Sequence, residues 1–211
     1  MATTVKLLSD YVTDVRRLLH DSTGAYWTTP ELIDYINEAR NRVVADTGCN
    51  RVVQTGVLVI GQEAYPLSSF GKNDTFDVLN IRLQWGTLWY QMDYKPFGQL
   101  STLMRAWSTW KQRPAAFSVY GQQTIYVAPV PDQAYPIELD TIVAPAPLVN
   151  QSDYDFIAFP YIGLVKFYAA YLAKFKEQSY DEASRFESEY TKRLKEALRS
   201  SFTRRIASMY S

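Results

Sequence analysis

The spacing of apolar residues changes period twice along this chain, and that change dictates a mixed fold. Near the start, Leu8, Tyr11, Val12, Val15, Leu18 and Leu19 recur at helical spacing. Asp10 lies early and Arg16 and Arg17 late, as the helix dipole prefers, and Asp21-Ser22-Thr23-Gly24 stops the run. A second helix opens on several agreeing signals. Thr28 is the N-cap, Pro30 lies in the first turn, and Glu31 is placed to complete a capping box. Trp27 and Leu32 can close a hydrophobic staple over that start; Ile33, Ile36, Val43 and Val44 continue the buried face, and Gly48 ends it.

From Arg51 the pattern turns to strands. Val52, Val53 and Val57 to Ile60 form one, and Phe76 to Gln91 a pair broken at Gly86. Phe117 to Ala128 reads as a hairpin turning at Gly121-Gln122-Gln123, and Tyr135 to Val143 as a further strand. Leu100, Leu103, Met104, Trp107 and Trp110 sit at helical spacing between them, and Ala144-Pro145-Ala146-Pro147 reads as a stiff linker. The helical period then returns. Pro160 lies near the first turn of a helix carrying Ile162, Val165, Tyr168, Ala169 and Leu172 inward. Ser179 and Glu182 form a second capping box, followed by a stripe of Ala183, Phe186, Tyr190, Leu194 and Leu198.

This order predicts an α+β protein: a four-helix bundle from the N- and C-terminal helix pairs, with an inserted antiparallel β region. The expected divisions are 1–50 for the first helix pair, 51–148 for the β region, 149–200 for the second pair and 201–211 for a tail.

Composition narrows the function. With 22 basic and 22 acidic residues, no bulk field favours nucleic acid or an anionic membrane. The chain holds 16 Tyr, 10 Phe and 5 Trp, a surplus that suits packed interfaces as well as a core. The most apolar stretch, Ile157 to Phe175, is interrupted by Lys166 and Lys174, so no membrane association is expected. A single cysteine, Cys49, forms no internal disulfide and suits a reducing compartment.

No catalytic set is expected. His20 is the sole histidine, and phosphate-loop, dinucleotide and nucleophile-elbow motifs are missing, so neither a metal nor a cofactor site is predicted. Acidic residues do pair in sequence, as Asp153 with Asp155, Asp74 with Asp77 and Glu187 with Glu189. They read as turn, helix-start and solvated residues rather than as a hydrolase pair.

Two segments depart from the average. Tyr94 to Pro131 has no acid but carries Lys95, Arg105, Lys111 and Arg113, interleaved with Trp107 and Trp110. It reads either as a solvated rim with core tryptophans or as a surface facing a tail protein or DNA. So few charges favour the rim, because phosphate affinity scales with the contacts made. Beyond Glu196, Arg199, Arg204 and Arg205 accompany Phe202, Ile206, Met209 and Tyr210 without an acid. That mixture fits a partner-binding segment, since these residue types are enriched at interface cores.

Taken together, the pattern resembles the head-to-tail adaptor (head completion, connector) family of tailed bacteriophages. The likeness rests on Trp27-Thr28-Thr29-Pro30-Glu31-Leu32 with Ile36-Asn37-Glu38-Ala39, and on Arg113-Pro114 before a glycine-turn hairpin ending Ala128-Pro129-Val130-Pro131-Asp132. It also rests on Pro160 before a Tyr- and Ala-rich helix and a charged helix with a basic end. The segment 94–112 has no counterpart in that pattern. The resemblance implies a structural virion protein without enzymatic activity, assembled in the host cytoplasm and located in the neck. Its subunits would form a dodecameric ring between portal and tail tube or nozzle, with DNA passing through the lumen. The C-terminal residues named above would bind the portal. A tail-associated cell-wall hydrolase and a single-stranded nucleic-acid-binding module are the alternatives.

Overall fold

The computed structural model describes residues 6–71, 74–107, 110–121 and 123–200, with backbone alone for 103–107. In chain order the elements are β1 (Lys6–Leu7), α1 (Leu8–Leu18), α2 (Thr29–Thr47), β2 (Arg51–Leu58), β3 (Ala64–Pro66), β4 (Thr75–Trp85), β5 (Leu88–Gln91) and β6 (Asp93–Tyr94). There follow α3 (Phe97–Trp107), β7 (Ala116–Tyr120), β8 (Thr124–Ala128), β9 (Tyr135–Val143), β10 (Tyr154–Asp155), α4 (Val165–Lys176) and α5 (Tyr180–Ser200). The chain divides into two compact units, Asn50–Ala144 and the two flanking segments together.

In the flanking unit, the start of α2 is built as its residues demand. The Thr28 hydroxyl accepts from the Glu31 amide while the Glu31 carboxylate accepts from the Thr28 amide at 3.2 Å, and Gly48 takes the left-handed conformation that ends the helix. The preceding turn is organised by Asp21, whose carboxylate accepts from the amides of Ala25 and Trp27, both at 2.9 Å.

A four-helix bundle is not what these helices form. Helix α4 lies in the middle, packed on α1, α2 and α5, while α5 lies mainly along α4. The buried side chains of α5 are Ala183, Tyr190 and Ala197. One residue in seven, two of them alanines, makes a narrow seam and leaves too little volume for a shared four-helix centre. Phe186, Leu194 and Leu198, expected on the buried stripe, are only half-buried. Nor does Pro160 open α4: a short 3-10 turn at Tyr161–Gly163 intervenes. At the start of α5, Glu182 pairs with Lys174 at 2.9 Å.

The same unit is locked by a buried polar network. Arg40 on α2 pairs with Asp155 on β10, whose other carboxylate oxygen accepts from the Tyr11 hydroxyl at 2.9 Å. Arg40 also donates to the Ala146 carbonyl at 2.7 Å, and Asn37 exchanges two hydrogen bonds with the Leu148 backbone. The proline linker is thus fastened to α2.

The Asn50–Ala144 unit is a two-sheet sandwich. One sheet has the order β2-β9-β4-β5 and the other β3-β8-β7-β6. Leu58, Ile81, Leu83, Phe117, Ile125, Val127, Ile137 and Leu139 fill the shared core. The expected all-antiparallel β region is corrected at β6 and β7, which pair in parallel. Helix α3 joins them, and a parallel pair needs such a crossover. Its Leu100 packs on Ala116 and Ala128, on the outer face of the second sheet. Entry and exit of the unit are clasped: the Val143 amide donates to the Asn50 carbonyl at 3.1 Å, and the Asn50 side chain donates back to the Val143 carbonyl at 2.7 Å.

Candidate partner-binding surfaces

Each acidic pair singled out in the sequence has structural work among the described residues. Asp155 is sealed against Arg40, and Asp153 accepts from the amides of Val149 and Asn150 at 2.9 and 2.8 Å. Asp77 accepts from the next amide, and Glu189 pairs with Arg193 at 2.6 Å. Backbone amides hold the Asp153 carboxyl below the ordinary carboxylate range. His20 closes α1 with a φ of 57°, a helix-end geometry. Burial pushes the Cys49 thiol up, which lowers its reactivity. No group of three or more His, Cys, Asp or Glu residues among those described is placed to hold a metal ion.

Electrostatics of the flanking unit are those of a scaffold. Glu31 is held at about 2, first by the hydrogen bond from Lys176 and then by those from Thr28. Lys176, at the end of α4, lies 2.6 Å from that carboxylate and so pins the start of α2. Burial, then the bond to Asp46, raises the Tyr190 hydroxyl, which joins α5 to α2 at 2.8 Å.

The basic and aromatic segment of the sandwich is resolved into separate parts. Trp110 and Arg113 line one cleft of about 610 Å³ together with Trp85, Gln112, Pro129, Asp132, Gln133 and Tyr135. Trp85 is 50% and Trp110 60% exposed, so neither is a core tryptophan. The Arg113 guanidinium stands 4.6 Å from the ring centres of both Trp85 and Tyr90. Lys111 is exposed and outside the cleft lining, its ammonium facing Gly61. Lys95 lies outside the cleft lining, its amide donating to the Phe117 carbonyl. The side chains of Arg105 and Trp107 lie outside the described residues.

Sequence reasoning missed Trp85, Asp132 and Tyr135 as lining of this cleft, and Tyr90 as the second ring against Arg113. They come from three strands and a turn, and only sheet pairing brings them together. The signal available was weak: aromatic residues flanking the Gly86 turn, at the end of an otherwise regular strand.

Of the C-terminal residues, Arg199 sits exposed in the last turn of α5, at one end of an open groove of about 470 Å³ lined by Glu187, Thr191, Lys192 and Lys195. Phe202, Arg204, Arg205, Ile206, Met209 and Tyr210 lie outside the described residues. The flanking unit also exposes apolar side chains that the sequence did not single out, led by Phe159 at 86%, with Tyr154 and Phe156 close in sequence. No described helix is long and apolar enough to cross a membrane.

A family model described as SU10 adaptor protein matches residues 6–209, nearly the whole chain. No curated protein matches it.

Proposed function

Because the chain belongs to the SU10 adaptor protein family, a family of phage head-to-tail adaptors, we propose that its subunits form a ring between the portal and the tail tube or nozzle, through which DNA passes unaltered. The family is structural rather than enzymatic and implies a place in the virion neck, with portal and tail proteins as partners. The observation that carries the reading is the length of the match, which takes in both units of the fold.

In this reading the end of α5 and the residues after it bind the portal. Arg199 is exposed and turned to solvent at the end of that helix, and the basic, aromatic sequence that follows supplies planar cationic donors and apolar area to bury. The sandwich, with its exposed tryptophan cleft, faces the tail. Subunits assemble in the host cytoplasm and close into a dodecameric ring on a portal template. Balanced charge and well-filled cores favour a monomer in isolation.

Mixing the purified protein with portal rings tests this. Co-sedimentation, with a ring of added density on one portal face by electron microscopy, is the expected result. A portal that sediments alone, or a stable ring formed without portal, contradicts it.

A further inference from the structure

We propose that the cleft between Trp85, Trp110 and Arg113 docks a carboxylate-bearing segment of a partner protein, with the Arg113 guanidinium as its anchor. The site deepens the reading of the chain as a link between two protein partners and rests on it for the partner's place, not for its chemistry.

Arg113 is oriented but unspent. Its guanidinium lies equally close to Trp85 and Tyr90, whose rings are 5.8 Å apart, so two aromatic groups hold its position. Contact with the rings engages no carboxylate or carbonyl, so its N–H donors stay available to a planar acceptor. Among the described residues no carboxylate takes them. The contrast within the same unit is clear: Arg51 pairs with Asp140, and Arg82 with Glu138 at 3.0 Å. The one acid lining the cleft, Asp132, is engaged by the Tyr135 hydroxyl at 2.6 Å. An arginine held between two rings and without a carboxylate partner is a preorganised donor site for a carboxylate, which it can bind through two parallel bonds.

The walls suit a polypeptide. Trp85 and Trp110 supply exposed apolar area beside Pro129, and Gln112 and Gln133 add amides able to meet a peptide backbone. Charge agrees, since no acid occurs from Tyr94 to Pro131, the segment that supplies Trp110, Gln112, Arg113 and Pro129 to the lining. Nucleic acid fits less well. Its affinity needs a track of many cations, and the lining of this cleft carries one guanidinium and one carboxylate.

The test uses the full chain, following the indole N–H signals of Trp85 and Trp110 by NMR, assigned with Trp→Phe variants. Acetyl-Leu-Glu-Leu-amide should shift both saturably. The Gln counterpart peptide, and Arg113→Gln with the Glu peptide, should bind roughly tenfold more weakly or worse. Arg113→Lys should be intermediate, because it keeps charge but cannot stack and fork. Equal binding of the two peptides, or no loss in Arg113→Gln, overturns the proposal. A short oligothymidylate that shifts the same indoles more tightly than the Glu peptide overturns it in favour of nucleic acid. Should Arg113→Gln fail to fold, the peptide pair and Arg113→Lys still decide. Portal co-sedimentation should be unchanged in Arg113→Gln, so failure of this site and failure of the adaptor reading give different results.

Discussion

Arg40 Nη2 lies 3.0 Å from Asp155 Oδ1, and the two side chains are 1% and 0% exposed although 115 residues separate them. Removing one member of a buried pair strands the other charge, at a cost of about 3–5 kcal/mol. Asp155→Asn should therefore lower the denaturation midpoint sharply. Replacing both residues with apolar ones of similar volume should recover much of that loss. A single variant as stable as the parent, by urea titration, would mean that the pair is open to water.

Acid should act on the flanking unit through Glu31. Its folded value of about 2 lies below the ordinary 4.5 because Lys176 and Thr28 bind the ionised form. A depressed acid contributes stability that is fully present above the unfolded value and is lost as pH falls toward the folded one. Melting temperature should thus hold above about pH 5 and fall between about pH 4.5 and 2. Glu31→Gln should flatten part of that fall while lowering stability at neutral pH. Identical pH profiles for the two proteins would contradict the assignment.

The N-cap offers a local check. Thr28→Ala removes the hydroxyl that accepts from the Glu31 amide and should cost about 0.5–2 kcal/mol. Circular dichroism melts should show a lower midpoint at unchanged helix content.

Gly56 on β2 faces the ring of Phe70, and a Cβ there would run into it. Gly56→Val should destabilise the sandwich by about 1–3 kcal/mol, the usual cost of overpacking. Pairing it with Phe70→Leu, which opens space, should return part of the loss. Additive losses in the double variant, measured by denaturant titration, would show that the ring moves aside freely.

Deleting residues 202–211 should leave the melting temperature nearly unchanged and abolish co-sedimentation with portal rings. Arg199 alone at the end of α5 offers too little area to hold a partner. Retained binding would place the portal contact elsewhere, with exposed Phe159 the first alternative to mutate.

How much was legible in the sequence depended on the range of the interaction. Thr28, Pro30, Glu31 and Gly48 act within one or two turns, and the helix they delimit runs from Thr29 to Thr47 as those residues demand. The strand from Tyr135 to Val143 also shows plainly, since its buried and less buried residues alternate. Packing partners did not show. Ala183, Tyr190 and Ala197 share a stripe with Phe186 and Leu194, and spacing alone does not tell a narrow seam from a bundle core. Asp155 looked like a turn residue because nothing near it in sequence announces Arg40. The cleft around Arg113 was half visible as Trp110 and Arg113. The two rings that hold Arg113, Trp85 and Tyr90, are brought together only by the β4–β5 pairing.

The reciprocal bonds between Asn50 and Val143 give the sandwich a single doorway, with the chain leaving and returning through neighbouring positions. Genetically, such a segment is a cassette. One in-frame recombination event can exchange or excise it, and a short loop suffices to rejoin the remaining chain. Lineages can therefore change what the sandwich recognises while keeping the helical scaffold, so the two parts are free to evolve at different rates.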